Sequence, residues 1–216
     1  MLRFATALAI AFGVASPAPA QTPHTREHSF GNAERWTKVF DDPQRDAWQK
    51  PHEVIQALAL DPGAAVADIG AGTGYFAMRL AHMVAKGRVY GVDLEADMVK
   101  HLGERAKKAG LNNFTAVKAT ADDARLPAKV DLALMVDTYH HIGAREAYFA
   151  KLADSLKPGG RVAIIDFNAK SKIGPPPSER IAPRQVEAEM ARAGYKLAQT
   201  HDFLPNQFFL VFERAK

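Results

Sequence analysis

The chain of 216 residues contains no cysteine, which excludes disulfides, thiolate-held zinc and a catalytic thiol. Any chemistry must therefore run on oxygen, nitrogen or a cofactor. Charge of one sign is also scarce: 28 basic residues against 24 acidic ones leave +4, with no run of Lys and Arg interleaved with aromatics. Nothing in that balance points to a nucleic acid or another polyanion. Apolar residues make up 47% and charged residues 24%, the proportions of a soluble globular chain rather than a disordered, collagen-like or multi-span membrane one.

What is present begins with a signal pattern. Met1-Leu2-Arg3 gives a positive start, Phe4 to Ala15 is uncharged and apolar, and Ala18-Pro19-Ala20 before Gln21 supplies the small residues a signal peptidase reads. The apolar run is well short of the ~20 residues that span a bilayer, so a cleaved leader over 1–20 is expected rather than a membrane anchor. Periplasmic or secreted export follows, with no stable membrane insertion after cleavage; a misassigned start and a cytoplasmic chain form the alternative. Without the leader the net charge falls to +3, and the remaining length suits one domain.

Residues 21–51 are polar and irregular, with Trp36, Phe40 and Trp48 set among Asp41-Asp42-Pro43 and Lys50-Pro51, and are expected to form a lid of short helices. From residue 52 to 216 the apolar pattern becomes regular. Helices are predicted at Glu53–Leu60, Tyr75–Val84, Ala96–Ala109, Ala144–Ser155 and Pro183–Ala193. Between them lie strands Ala64–Ile69, Arg88–Val92, Phe114–Lys118, Val130–Val136 and Arg161–Phe167. Strands apolar on both faces and separated by helices pair in parallel with helices on either side, so the fold class is doubly wound α/β. Two further strands, Tyr195–Phe203 and Gln207–Glu213, are joined so closely by Leu204-Pro205-Asn206 that they must pair antiparallel.

Asp68-Ile69-Gly70-Ala71-Gly72-Thr73-Gly74 stands between a predicted strand and helix, where backbone amides and a helix N-terminus converge on a ligand. A dinucleotide site would want glycine at the position of Tyr75, and the carboxylate of Asp68 would repel a pyrophosphate but attract an ammonium. This counts against a nicotinamide oxidoreductase. Gly91-Val92-Asp93 ends the second strand with a carboxylate twenty-five positions after Asp68, where this fold grips a ribose diol. Together these features indicate an adenosine ligand; the bland reading is a packing turn and a helix-capping aspartate.

These blocks, with Val130-Asp131-Leu132-Ala133-Leu134-Met135-Val136-Asp137 and Leu156-Lys157-Pro158-Gly159-Gly160-Arg161, resemble the class I S-adenosylmethionine-dependent methyltransferases, above all the small-molecule branch of the ubiquinone and menaquinone C-methyltransferases. The resemblance runs from about His52 to Glu213. It implies a Rossmann-like seven-stranded sheet, its last strand antiparallel and inserted beside the fifth. It implies S-adenosyl-L-methionine as cofactor, with Asp68, Gly70, Ala71, Gly72 and Gly74 at the methionine moiety and Asp93 with Leu94 at the ribose. Asp122 or Asp123, in Ala121-Asp122-Asp123-Ala124-Arg125-Leu126-Pro127, would meet the adenine amino group. A sulfonium cation also suits a site carrying Asp68, Asp93, Asp122 and Asp137.

Methyl transfer from a sulfonium asks chiefly for alignment and exclusion of water, and beyond that for one base. Asp137-Thr138-Tyr139-His140-His141 follows the fourth strand at the sheet's carboxyl edge, so Asp137, His140 and His141 are the catalytic candidates, either histidine able to accept a proton from a small-molecule acceptor. Each could instead cap or pack. Asp166 and Asn168 stand where a divalent-ion enzyme would place ligands, but adjacent histidines diverge and no metal site is assigned. The expected function is methyl transfer to an unidentified small molecule, the rival being an exported, non-catalytic nucleoside binder that keeps the fold. Neither the acceptor nor the oligomeric state is legible.

Overall fold

The computed structural model describes residues 32–215. The expected leader, 1–20, and the first part of the expected lid lie outside them. Three short helices open the described chain: α1 (Ala33–Phe40), α2 (Arg45–Gln49) and α3 (Pro51–Ala57). Asn32 starts α1 by accepting the Arg35 N–H on its side chain, and Pro51 starts α3 at the first helical position, where its missing N–H costs nothing.

Alternation then sets in: β1 (Ala65–Ile69), α4 (Tyr75–Met83), β2 (Arg88–Asp93), α5 (Ala96–Lys108), β3 (Phe114–Lys118), β4 (Val130–Val136), α6 (Arg145–Leu152), β5 (Leu156–Phe167), α7 (Pro183–Arg192), β6 (Tyr195–His201) and β7 (Gln207–Arg214). The seven strands form one sheet in the order β3-β2-β1-β4-β5-β7-β6. β1 to β5 are parallel, and β7 is antiparallel to both its neighbours, inserted beside β5 as expected.

Both faces of the sheet are covered, which is why β4 reads as an unbroken apolar run. Ala133 and Met135 face a core with Phe149 of α6 and Met190 of α7; Leu132 and Leu134 face one with Val54 of α3, Leu80 of α4 and Leu102 of α5. Each of the larger side chains fully withdrawn from water, Leu, Val, Met or Phe, contributes roughly 1.5–3 kcal/mol.

One boundary moves by five residues. The Pro158-Gly159-Gly160 run, which reads as a turn before a strand, is carried inside β5: Leu156 pairs with Val130, the register shifts, and Arg161 pairs with Leu132. Gly160 has no room for a side chain there, since a Cβ would sit 3.0 Å from the Val130 carbonyl oxygen. Helix α6 also stops short of its expected end, tightening into a 3-10 turn over Ala153–Ser155.

Candidate active site

Parallel pairing puts the carboxyl ends of β1, β2, β4 and β5 side by side, and with them Asp68, Asp93, Asp137 and Asp166. The glycine turn after β1 is folded back on β2: the Gly70 and Ala71 N–H groups both donate to the Val92 carbonyl at 2.9 Å. Gly70 has φ +75° and lies against Thr138, so that a Cβ there would overlap the threonine hydroxyl. Only glycine meets both demands. Gly72, at φ +54°, has the Phe40 ring 3.2 Å from where a Cβ would project. The turn is thus a cradle bounded by β4 on one side and α1 on the other, opening at Gly74 into α4.

Asp93 joins the turn to β2. Its Oδ2 accepts the Gly72 N–H and its Oδ1 the Glu95 N–H, each at 2.8 Å. Burial pushes its carboxyl pKa up, and these backbone hydrogen bonds oppose the rise. Leu94, beside it, is half exposed. In the turn after β3, Asp122 and Asp123 both pair with Lys151, at 3.3 and 3.0 Å, and Asp123 also accepts the Arg125 N–H. Hydrogen bonds from Thr120 to Asp122 and from the Arg125 backbone to Asp123 hold their carboxyls below the usual range.

Asp68 is 3% exposed. Burial pushes its carboxyl up to about 7, against the Arg45 charge and the Ala77 N–H at the start of α4. Asp137, in the left-handed region at φ +55°, is likewise pushed up by burial and restrained by Arg45. Its Oδ1 accepts the Gln207 amide at 2.5 Å, Gln207 accepts that of Gln49 at 2.7 Å, and its Oδ2 lies 3.6 Å from Arg45.

His140 and Asp166 form a buried pair with side chains 5% and 4% exposed. The imidazole Nδ1 stands 2.9 Å from each carboxylate oxygen, and the His140 N–H donates to the same group at 3.1 Å. Because a carboxylate only accepts, Nδ1 carries the proton and Nε2 is left as the basic nitrogen. Burial lowers the His140 pKa, but the hydrogen bond and charge of Asp166 outweigh it and the pKa rises above its ordinary value. The His141 ring packs against that of His140, centroids 4.0 Å apart. Next to them, Tyr139 donates to Glu189 of α7 at 2.5 Å and Arg145 of α6 donates to the same carboxylate at 2.6 Å, which clamps the turn.

The profile of a family described as a methyltransferase domain matches residues 66–160. The chain is 28% identical over 117 residues to the ubiquinone/menaquinone biosynthesis C-methyltransferase of Shewanella piezotolerans, covering 53% of this chain and 47% of that protein. The corresponding protein of Shewanella frigidimarina matches at 26% over 124 residues, covering 56% and 49%. The chain thus spans about half the length of the curated relatives it matches. Among solved structures, a SAM dependent methyltransferase from Aquifex aeolicus superposes with a TM-score of 0.77 at 28% identity, covering 84% of this chain and 97% of that one. Over these residues and in its fold, the chain is similar to the class I S-adenosylmethionine-dependent methyltransferases. Magnesium protoporphyrin IX methyltransferase from Synechocystis, solved with bound SAH, shares the fold at a TM-score of 0.65 and 20% identity, covering 84% and 93%.

The chain brings Asp68, Gly70, Ala71, Gly72, Gly74 and Asp93 together at one cradle and sets Asp137 beside it. Asp122 and Asp123 lie further out, on Lys151. Three participants escaped the sequence reading. Arg45 stood in an irregular segment, Gln207 opened an apolar strand, and Asp166 was weighed only as a metal ligand. Among the described residues no group of three or more His, Asp or Glu is arranged to hold a metal.

Proposed function

We propose that this methyltransferase transfers a methyl group from S-adenosylmethionine to a small-molecule acceptor whose proton is taken by His140. The observation that carries the base assignment is the His140–Asp166 pair, which fixes the imidazole tautomer at the same sheet edge as the glycine cradle. The residues fit the cofactor's charge: the carboxyls of Asp68 and Asp137 stand at the ends of neighbouring strands beside the glycine turn, and the positive charge of Arg45 acts on both. In this reading Asp68 and Asp137 attract the cationic methionine end, while Asp93, with Leu94 beside it, receives the ribose. Asp122 or Asp123 remains the adenine contact. When bound, the cofactor supplies a methyl group on positively charged sulfur, already activated for in-line displacement.

The protein's own residues then position, exclude water and move one proton. Trp48 packs on Phe167, ring centroids 6.0 Å apart, and ties α2 to the end of β5. His140 Nε2 accepts the proton of a hydroxyl, amine or acidic carbon, and Asp166 stabilises the imidazolium that forms. Export remains part of the proposal, resting on the pattern of residues 1–20; sequencing the N-terminus of the mature chain tests it, with Gln21 expected.

The decisive experiment measures binding of S-adenosylmethionine, S-adenosylhomocysteine and NAD by calorimetry, then transfer of labelled methyl to a panel of phenols, amines and quinols. Binding of the first two without NAD, together with a labelled product, supports the function. Failure of all three ligands to bind a folded sample overturns it.

A further inference from the structure

Asp68 and Asp137 end neighbouring strands, and one guanidinium serves both. Arg45 of α2, its side chain 13% exposed, brings Nη2 within 3.6 Å of Asp137, and its charge also acts on Asp68. It is held there by the Tyr75 ring, whose centroid lies 4.0 Å from the guanidinium, and by hydrogen bonds to the Phe40 carbonyl and Gln49. Two carboxylates against one fixed cation leave a surplus negative charge in a place with little water. A charge so placed is costly, and a carboxyl there keeps a proton instead.

The two acids are not equally provided for. Asp137 receives the Gln207 amide on Oδ1 and faces Arg45 with Oδ2. To Asp68, 3% exposed, no side chain among the described residues donates a hydrogen bond; the Ala77 N–H of α4 does. Of the other charges nearby, Asp93 of β2 disfavours an ionised Asp68, Asp166 of β5 disfavours an ionised Asp137, and His140 favours it. Asp93 and Asp166 have donors of their own, the Gly72 and Glu95 amides for the first and the ring and N–H of His140 for the second. The surplus proton of the ligand-free chain therefore belongs to the Asp68–Asp137 pair, and within it to Asp68.

Resting on the cofactor reading above, we propose that this pair stores one proton whenever the cofactor's sulfonium is absent, gives it up to S-adenosylmethionine and regains it on methyl transfer. The ligand charges decide the difference. With its carboxylate, ammonium and sulfonium, S-adenosylmethionine carries one net positive charge, which sums to zero with two ionised aspartates and Arg45. S-adenosylhomocysteine, with carboxylate and ammonium alone, is neutral and leaves the same surplus as the free chain, so the pair keeps its proton. In turnover the acceptor's bond to hydrogen breaks, an N–H bond forms on His140, and the sulfur loses its charge as the methyl carbon joins the acceptor. The N–H bond on His140 then breaks as an O–H bond forms on the pair. The proton expelled by one cofactor molecule is thus replaced by the one its reaction frees. Below about pH 7 the stored proton opposes S-adenosylmethionine and not its product, so rising pH relieves product competition.

Calorimetry of the wild-type chain at pH 6, below the Asp68 value of about 7, with each ligand in two buffers of different ionisation enthalpy, tests the proposal. S-adenosylmethionine should release close to one proton more than S-adenosylhomocysteine. Preference for the former should rise several-fold from pH 6 to pH 7, at most about tenfold. Asp68→Asn and Asp137→Asn should each abolish the difference, because one carboxylate against Arg45 leaves no surplus; His140→Ala should keep it. Equal release by both ligands, no release with S-adenosylmethionine, or loss of the difference in His140→Ala overturns the proposal, the last assigning the proton to the imidazole. If the asparagine variants do not fold, the wild-type comparison decides alone. Failure of the wild-type chain to bind either ligand refutes the cofactor reading instead, so the two failures are distinguishable.

Discussion

A buried carboxyl with a raised pKa makes a signed prediction at Asp68. Its ordinary value is 3.8 and burial takes it to about 7, so between those values the fold holds a proton that the unfolded chain releases. Ligand-free stability therefore falls, from this group, as pH rises from about 4 to about 7. A cationic ligand reverses the preference, because it favours the ionised form against Asp93 and alongside Arg45. Affinity for S-adenosylmethionine should accordingly tighten as pH rises toward 7 and then level off, by at most about tenfold per unit. Titration calorimetry in two buffers should register proton release, and Asp68→Asn should remove most of it. At His140 the alanine variant should lose about 10²- to 10⁴-fold in turnover with cofactor affinity retained, the range for a lost general base. Asp166→Asn leaves burial to act on the imidazole without its carboxylate, so the rising limb of the pH–rate profile should move to lower pH while the rate drops. A rate loss with an unmoved profile would assign Asp166 to packing alone. Asp93→Ala should weaken cofactor binding by roughly one to two powers of ten, from ~1.5–3 kcal/mol of charged hydrogen bonding. Because Asp93 also holds the Gly72 and Glu95 amides, a loss of melting temperature should accompany it.

At the scale of elements, strands and helices were legible because their apolar spacing is set by what covers them. Val66 and Leu132 mark one covered face, Ala67 and Ala133 the other, and both patterns survive in the sequence without knowledge of the fold. The glycine turn was legible for a similar reason: Gly70 is confined by its positive φ and by Thr138, and local chemistry leaves no substitute. Gly70→Ala should therefore unfold at markedly lower temperature, since strain of order 1–3 kcal/mol adds to the overlap. Arg45 and Gln207 were not legible, because their roles come from partners 92 and 70 positions away from them in the chain, at Asp137 in both cases. No periodicity records such a meeting. The Tyr139–Glu189–Arg145 clamp belongs to the same class. Burial tends to raise the Glu189 pKa, but hydrogen bonds from Arg145, Tyr139 and Gln185 hold it at about 2. An acid held below its unfolded value lends stability above about pH 4.5 that disappears as pH falls toward 2. Circular dichroism of Glu189→Gln should show lower stability at neutral pH and a flatter acid limb than wild type.

For the molecule as a whole, ligand linkage supplies a check independent of turnover. S-adenosylmethionine at a hundred times its Kd should add about 2.7 kcal/mol, a rise of roughly 5–10 °C in Tm for a domain this size. A chain that binds without catalysing would show this rise and no labelled product, which separates the non-catalytic rival from an enzyme. Export adds a constraint of its own: S-adenosylmethionine is made in the cytoplasm, so an exported enzyme needs its cofactor delivered, and fractionation of cells should find the chain outside the cytoplasm if the leader is read. The sheet order carries a consequence for timing. β6 pairs only with β7, and β7 opens with Gln207, the partner of both Asp137 and Gln49. A ribosome delivers β7 after every other strand of the sheet, so β6 waits without a neighbour and Asp137 without its amide until β7 is made. The glycine cradle can be complete long before that, and yet the site as a whole is born last. Until β7 has paired, neither the Asp137–Gln207 nor the Gln49–Gln207 hydrogen bond can form, so the polar network that ties α2 to the sheet closes only with the sheet's last strand.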